Sequence, residues 1–138
     1  MDLIVCLGDT LTHLPDVGAV EGLFEDVRAC LGEGGVFVAT FRDYVTAPLQ
    51  GEKRFIPVRG DEDRILTCVL EYGEATVTVH DVLHERRGVA WQLRVSSYPK
   101  LRLAPAWVVE ALAARGFAVQ QEAGPGGMVR VVARHTGR

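Results

Sequence analysis

An α/β fold carrying an antiparallel β insertion is what this 138-residue sequence predicts, and three observations predict it. Two continuously apolar runs near the N-terminus flank an amphipathic stretch. The middle of the chain alternates polar and apolar residues with period two. A second amphipathic stretch then leads into two short apolar runs split by a glycine-rich turn.

The first run, Leu3-Ile4-Val5-Cys6-Leu7, has no polar alternation and stops at Gly8-Asp9. It reads as a strand buried on both faces, the kind found inside parallel sheets. Pro15-Asp16 opens a helix whose Val17, Val20, Phe24, Val27 and Leu31 recur at three- and four-residue steps, and Gly32 with Gly34-Gly35 ends it. Val36-Phe37-Val38-Ala39-Thr40-Phe41 repeats the fully buried strand pattern and closes at Arg42-Asp43-Tyr44. Strand, helix and strand at this spacing make a βαβ unit with a right-handed crossover.

From Arg54 to Tyr98 the period is two, broken at Gly60-Asp61, Tyr72-Gly73-Glu74 and Arg87-Gly88. Val77, Val79 and Leu83 alternate with Thr76, Thr78 and His80; Trp91, Leu93 and Val95 alternate with Gln92, Arg94 and Ser96. These are antiparallel strands with one wet face. Ala104-Pro105 starts a helix along Val108, Leu112 and Arg115, with Gly116 as its C-cap. Phe117 to Glu122 and Met128 to Ala133 are strands across the turn Gly124-Pro125-Gly126-Gly127, and His135 to Arg138 are expected to fray. A strand buried on both faces needs neighbours on each side and helices above and below. The sequence enters its first strand at once, so something that should flank that strand is expected outside it.

Composition bounds the function. Net charge is -3 and the sequence pI is about 5.8, without the clustered basic excess of a nucleic-acid or membrane-surface binder. No apolar run reaches the roughly 18 residues of a membrane span, and the N-terminus lacks the basic region of a signal peptide. The three cysteines, Cys6, Cys30 and Cys68, form no C-x-x-C pair, so the expected compartment is a reducing cytoplasm.

In open α/β sheets the ligand crevice lies beyond the carboxyl ends of the strands. Two such ends carry polar groups here: Gly8-Asp9-Thr10 with His13 one turn on, and Arg42-Asp43-Tyr44. The competing reading makes Asp9 and Thr10 caps of the loop backbone and Arg42-Asp43 a local ion pair. His80 and His84, four apart in a strand pattern, lack a third ligand at recognisable spacing, so no metal site is expected. The glycine turn at 124–127 leads into a strand rather than a helix, which makes it a hairpin and not a phosphate loop. Cys6, inside an apolar strand, reads as inert packing.

The segment Asp2 to Leu14, followed by Leu31-Gly32-Glu33-Gly34-Gly35-Val36-Phe37-Val38, resembles the second half of a class I S-adenosylmethionine-dependent methyltransferase. Cys6-Leu7-Gly8 with His13-Leu14-Pro15-Asp16, then Arg42-Asp43-Tyr44 and Tyr98-Pro99, is similar to the glycine N-methyltransferase-like branch. The resemblance runs over nearly the whole chain and implies a partial Rossmann-like methyltransferase fold, the later strands of a doubly wound sheet. Residues 1–44 would be core βαβ, 53–103 an acceptor-side antiparallel insertion, and 104–135 the terminal helix and hairpin of one partial domain.

The resemblance also implies roles. Leu7 and Gly8 would lie along S-adenosylmethionine, with Asp9 and His13 at the boundary between cofactor and acceptor, where either takes the acceptor's proton. Arg42 would hold a substrate carboxylate, and Tyr44 and Tyr98 would line the acceptor pocket. Three positions depart from the branch. Asp9 replaces an asparagine and adds a negative charge that favours a cationic acceptor, Asp43 also replaces an asparagine, and Phe55-Ile56 stand where the branch offers tyrosines. They point away from glycine itself as acceptor. The family's cofactor glycine loop has no counterpart in this sequence, so the chain alone is expected not to bind the cofactor.

The expected function is transfer of a methyl group to a small-molecule acceptor, on nitrogen or oxygen, with no nucleic-acid or membrane partner. An alternative of a different class is a non-catalytic remnant that pairs with itself or a partner through its exposed sheet edge. A third reading is a small-ligand module using the antiparallel insertion as its pocket.

Overall fold

The computed structural model describes residues 1–137. In chain order the elements are β1 (Leu3–Cys6), α1 (Val17–Cys30), β2 (Val36–Phe41), β3 (Phe55–Gly60), β4 (Arg64–Tyr72), β5 (Thr76–Arg87), β6 (Ala90–Leu101), α2 (Pro105–Ala113), β7 (Phe117–Ala123) and β8 (Val129–His135), with short 3-10 turns at Thr10–His13, Gly51–Arg54 and Pro125–Gly127. Among the described residues no helix is long and apolar enough to cross a membrane. The fold is mixed α/β with two four-stranded sheets, as expected for a partial Rossmann-like methyltransferase fold. The chain forms two compact units, one of Met1–Thr46 with the chain from Leu101 onward, the other of Ala47–Lys100.

The first unit holds a sheet of order β1-β2-β8-β7. β1 and β2 are parallel, joined through α1, whereas β8 enters antiparallel between β2 and β7. Asp16 caps α1 by accepting a 2.7 Å bond from the Ala19 N–H. Pro105 opens α2, where its missing N–H costs nothing. Between α1 and β2 the chain reverses at Gly34-Gly35. Gly34 has φ 78, and a Cβ on Gly35 would lie 2.9 Å from the Gly32 carbonyl, so neither position tolerates a side chain without strain.

Both helices cover the same face of this sheet. Val20, Phe24 and Val27 of α1 and Val108 and Leu112 of α2 join Phe37, Ala39, Phe41, Val131 and Ala133 in one buried cluster. The Phe24 and Phe37 rings meet edge to face at 6.0 Å. Arg115, just past α2, ties the helices together: it donates to the Ala111 carbonyl at 2.9 Å and to the Glu21 carboxylate of α1 at 3.0 Å.

The opposite face corrects one expectation. β1, whose sequence reads as buried on both faces, is an edge strand with Leu3 59% and Val5 52% exposed. These side chains line up with Val36 and Val38 of β2 by register, on the side no helix covers. The apolar run is therefore present, but its second face has no cover within these residues. At the other end of the chain, His135 does not fray. It closes β8 opposite Phe117, and the Thr136 hydroxyl donates to the Gly116 carbonyl at 2.7 Å. Arg138 lies outside the described residues.

The second unit is the antiparallel meander β3-β4-β5-β6. One face is half-covered, with Leu70, Val77 and Val79 buried. β6 differs from the one-wet-face expectation, because Ala90 to Ser97 are exposed on both faces.

Phe24→Ala is expected to cost about 3–5 kcal/mol by removing a fully buried ring from the helix–sheet cluster. Val17→Ala, at a half-exposed position on the same helix, should stay within ~0.5 kcal/mol. Urea unfolding of both variants checks the contrast.

Candidate functional site

The carboxyl ends of the parallel pair β1 and β2 lie side by side, and a compact set of hydrogen bonds joins them. Gly8 and Asp9 leave β1 with φ of 69 and 68. For Asp9 this is the left-handed region that side chains other than glycine seldom adopt. The turn is held from β2: the Thr40 hydroxyl accepts from the Gly8 N–H at 2.9 Å, and the Thr40 carbonyl accepts from the Asp9 N–H at 3.2 Å. The Thr12 hydroxyl donates to the Asp9 carbonyl at 2.9 Å.

The Asp9 side chain is buried and both of its oxygens are engaged. Oδ1 accepts from the Arg42 backbone N–H at 2.8 Å, and Oδ2 accepts from the Tyr44 hydroxyl at 3.2 Å. Tyr44 is itself buried, and its carbonyl accepts from Arg102 Nε at 3.0 Å. Asp9 thus fixes the path of the chain as it leaves β2. The Arg42 guanidinium follows from that path. It is exposed and reaches the turn before β8, where Nη1 donates to the Gly126 carbonyl at 3.0 Å. That single contact orients the planar fork and leaves further N–H donors able to grip an anion.

The two loop residues beside this knot behave differently. The Thr10 hydroxyl donates to the Leu7 carbonyl at 2.7 Å and so serves the local backbone. Asp43 makes no ion pair with its neighbour among the described residues. Its Oδ1 accepts from the N–H groups of Val45 and Thr46, both at 2.9 Å. Partial burial pushes this carboxyl up, but the side-chain and backbone hydrogen bonds from Thr46 and the N–H of Val45 outweigh it and hold the group below its ordinary range. Burial pushes the Cys6 thiol up, in keeping with a packing role.

Of the residues singled out from sequence, Leu7, Gly8, Asp9, His13, Arg42 and Tyr44 therefore belong to one unit, at the ends of β1 and β2. His13 ends the 3-10 turn that begins after Asp9, with its side chain exposed. Tyr98 belongs to the other unit, on β6, where Lys100 Nζ lies 6.0 Å from its ring centre. In that unit His80 bridges three strands, at 2.7 Å from Glu71 and 2.6 Å from Ser97, while His84 sits opposite Ile65. Sequence reasoning missed Thr40, Thr12, Arg102 and the Gly126 carbonyl. Thr40 alone left a signal: a single hydroxyl inside an otherwise apolar strand, and buried.

The sequence resemblance implies a nucleoside cofactor beside this knot. A Cβ built on Gly8 would meet nothing within 4 Å, and Leu7 next to it is half-exposed. Bare backbone and an apolar side chain thus border the end of β1, which fits one edge of such a group.

No family model and no curated protein matches this sequence. Solved structures do. The chain is similar to CalS10, an amino pentose methyltransferase from Micromonospora echinaspora, with a TM-score of 0.83 and 18% identity over 98% of this chain and 58% of that one. It is similar to the CcbJ methyltransferase from Streptomyces caelestis, at 0.81 and 15%, over 97% and 57% respectively. The sugar N-methyltransferase KedS8 from Streptoalloteichus sp. matches at 0.74 and 16%, over 97% and 56%. The chain thus has the fold of the matching part of these methyltransferases and spans rather more than half of their length.

Tyr44→Phe is expected to cost about 1–3 kcal/mol, because it removes one donor from a buried carboxylate; Thr10→Ala, whose hydroxyl is exposed, should cost no more than ~0.5 kcal/mol. Asp43 yields a pH prediction. Its carboxyl is lower in the folded chain than the unfolded value of about 3.9, so its contribution is fully present above that value and is lost as pH falls through the folded one. Asp43→Asn should therefore be less stable than the parent at pH 7, and the gap should shrink steadily in urea titrations taken below pH 4.

Proposed function

We propose that this chain forms the acceptor-binding part of a small-molecule methyltransferase, one that moves a methyl group from S-adenosylmethionine to an amine carrying an anionic group. The observation that carries the reading is the Arg42 guanidinium, held exposed at the mouth of two parallel strands by the Asp9–Tyr44 knot beneath it. The fold shared with sugar and small-molecule methyltransferases supports it. So does the uncovered apolar face of β1 and β2, because parallel strands of a doubly wound sheet are ordinarily covered on both sides. The remainder of such a fold would cover Leu3 and Val5 and bring the cofactor's glycine loop.

Within that reading the roles divide by exposure. Leu7 and the bare Gly8 backbone border the cofactor. When bound, the cofactor supplies an electrophilic methyl on a sulfonium, so the protein needs no nucleophile of its own. Arg42 grips the anionic group of the acceptor and so contributes to its binding. Asp9, buried with both oxygens engaged, is a positioning residue for Arg42. His13, exposed one turn on, takes the acceptor's proton, histidine being the side chain that exchanges protons most readily around neutrality. Tyr44 supports Asp9 through its hydroxyl.

Calorimetric titration with S-adenosylhomocysteine tests the division of labour. The 138-residue chain should show no binding up to about millimolar ligand, whereas the same chain preceded by the segment encoded immediately upstream should bind with a Kd on the order of micromolar. In that longer protein, Arg42→Ala should raise the acceptor KM at least about tenfold with kcat within about twofold, as loss of uniform binding requires. Micromolar binding by the short chain, an upstream segment that adds no binding, or an unchanged KM in Arg42→Ala contradicts the proposal.

A further inference from the structure

Arg102 stands outside every motif read from the sequence, yet it is tied to the stretch that carries Arg42. It lies between the end of β6 and Pro105, the first residue of α2, with Leu101 and Leu103 buried on either side of it. The first turn of α2 closes on the same segment, where the Ala104 carbonyl accepts from the Val108 N–H at 3.1 Å. The backbone at Arg102 is therefore anchored from both sides. Its side chain is half-buried, and Nε donates to the Tyr44 carbonyl at 3.0 Å.

The Tyr44 carbonyl shares a peptide plane with the Val45 N–H, and that N–H donates to Asp43 Oδ1 at 2.9 Å. Both poles of this peptide are engaged, the oxygen by Arg102 and the nitrogen by Asp43. The peptide that enters Arg42 is held as well, because Asp9 Oδ1 accepts from the Arg42 N–H at 2.8 Å. The Tyr44 hydroxyl joins the two points by donating to Asp9 Oδ2 at 3.2 Å. Arg42 thus lies on a stretch whose two ends are fixed. We propose that Arg102 is a positioning residue for Arg42: through the Tyr44 peptide it fixes the downstream end of that stretch, and so the direction in which the Arg42 guanidinium leaves the fold. Its value to the reaction rests on the reading of Arg42 as the grip on the acceptor; the positioning itself does not.

The role falls to a hydrogen bond rather than to charge. Nε is the donor nearest the backbone in an arginine, and the guanidinium keeps its protons at any ordinary pH. A glutamine at 102 carries an amide nitrogen the same number of bonds from the backbone, without the charge. A methionine has similar length and no donor. The two substitutions therefore separate the bond from the charge.

The ¹⁵N relaxation of the Arg42 Nε–H in the labelled full chain tests the positioning without any acceptor. The heteronuclear NOE should be that of an ordered side chain in the parent. It should fall by at least about half in Arg102→Met and hold the parent's level in Arg102→Gln. Arg115→Met, which unties α1 from α2, should lower stability and leave the Arg42 NOE unchanged. The longer protein that carries the upstream segment supplies the functional arm. There Arg102→Met should raise the acceptor KM about threefold to tenfold with kcat within about twofold, and should add nothing in an Arg42→Ala background, because it acts through Arg42. An Arg42 NOE unmoved in Arg102→Met, a loss of NOE in Arg102→Gln or Arg115→Met, or a KM that rises further in the double variant overturns the proposal. If Arg42→Ala itself leaves KM unchanged, the acceptor reading fails, and the relaxation measurements still decide the role of Arg102.

Discussion

The Asp9 carboxylate is the point from which the geometry of the first unit's working end follows. It sits in the left-handed backbone region, which few residues other than glycine, asparagine and aspartate adopt, and the conformation holds because β2 grips the turn from beneath through both the hydroxyl and the carbonyl of Thr40. Once there, the carboxylate accepts from the Arg42 N–H and the Tyr44 hydroxyl, so the chain leaves β2 along one path only. A buried charge that is fully hydrogen-bonded is tolerable; the same charge with one donor removed is costly. The left-handed turn at Asp9, the burial of Tyr44 and the exposure of Arg42 are thus one arrangement seen from three residues.

A second constraint acts on the whole sheet. α1 and α2 cover one face and leave the Leu3–Val5 row on the other. Covering those two side chains would contribute about 1.5–3 kcal/mol for each fully buried residue, a considerable part of the net stability of a small domain. The same consideration ranks the two exposed strands. β1 offers four residues and an apolar face that continues onto β2, suited to a packed layer. β6 offers a longer edge, exposed from Ala90 to Ser97.

Much of this was legible in the sequence, for physical reasons. The βαβ unit announced itself because two strands apolar on both faces are unusual outside parallel sheets, and β2 runs over the residues expected, Val36–Phe41. The hairpin turns were marked by glycine, where backbone conformation restricts the choice of residue. Burial of β1 was misread because an apolar run records what a strand is suited to and not what packs on it: among the described residues nothing covers the Leu3–Val5 row. The Asp9–Tyr44 contact was invisible, since nothing in a sequence couples two residues 35 positions apart. Thr40 was the nearest to a clue. The full exposure of β6 was missed because period two says which residues share a face and not whether anything packs on it.

The central claim is that Asp9 poses Arg42 to take an anionic group. The most direct measurement is the side-chain Nε–H resonance of Arg42 in a ¹⁵N-labelled chain, followed as a small carboxylate-bearing amine is added, in the parent and in Asp9→Asn. The account predicts a saturable shift of the Arg42 resonance in the parent, and a weaker response in Asp9→Asn with the other arginine resonances unmoved in both. An Arg42 resonance that does not move, or one that responds equally with and without the Asp9 carboxylate, would contradict it.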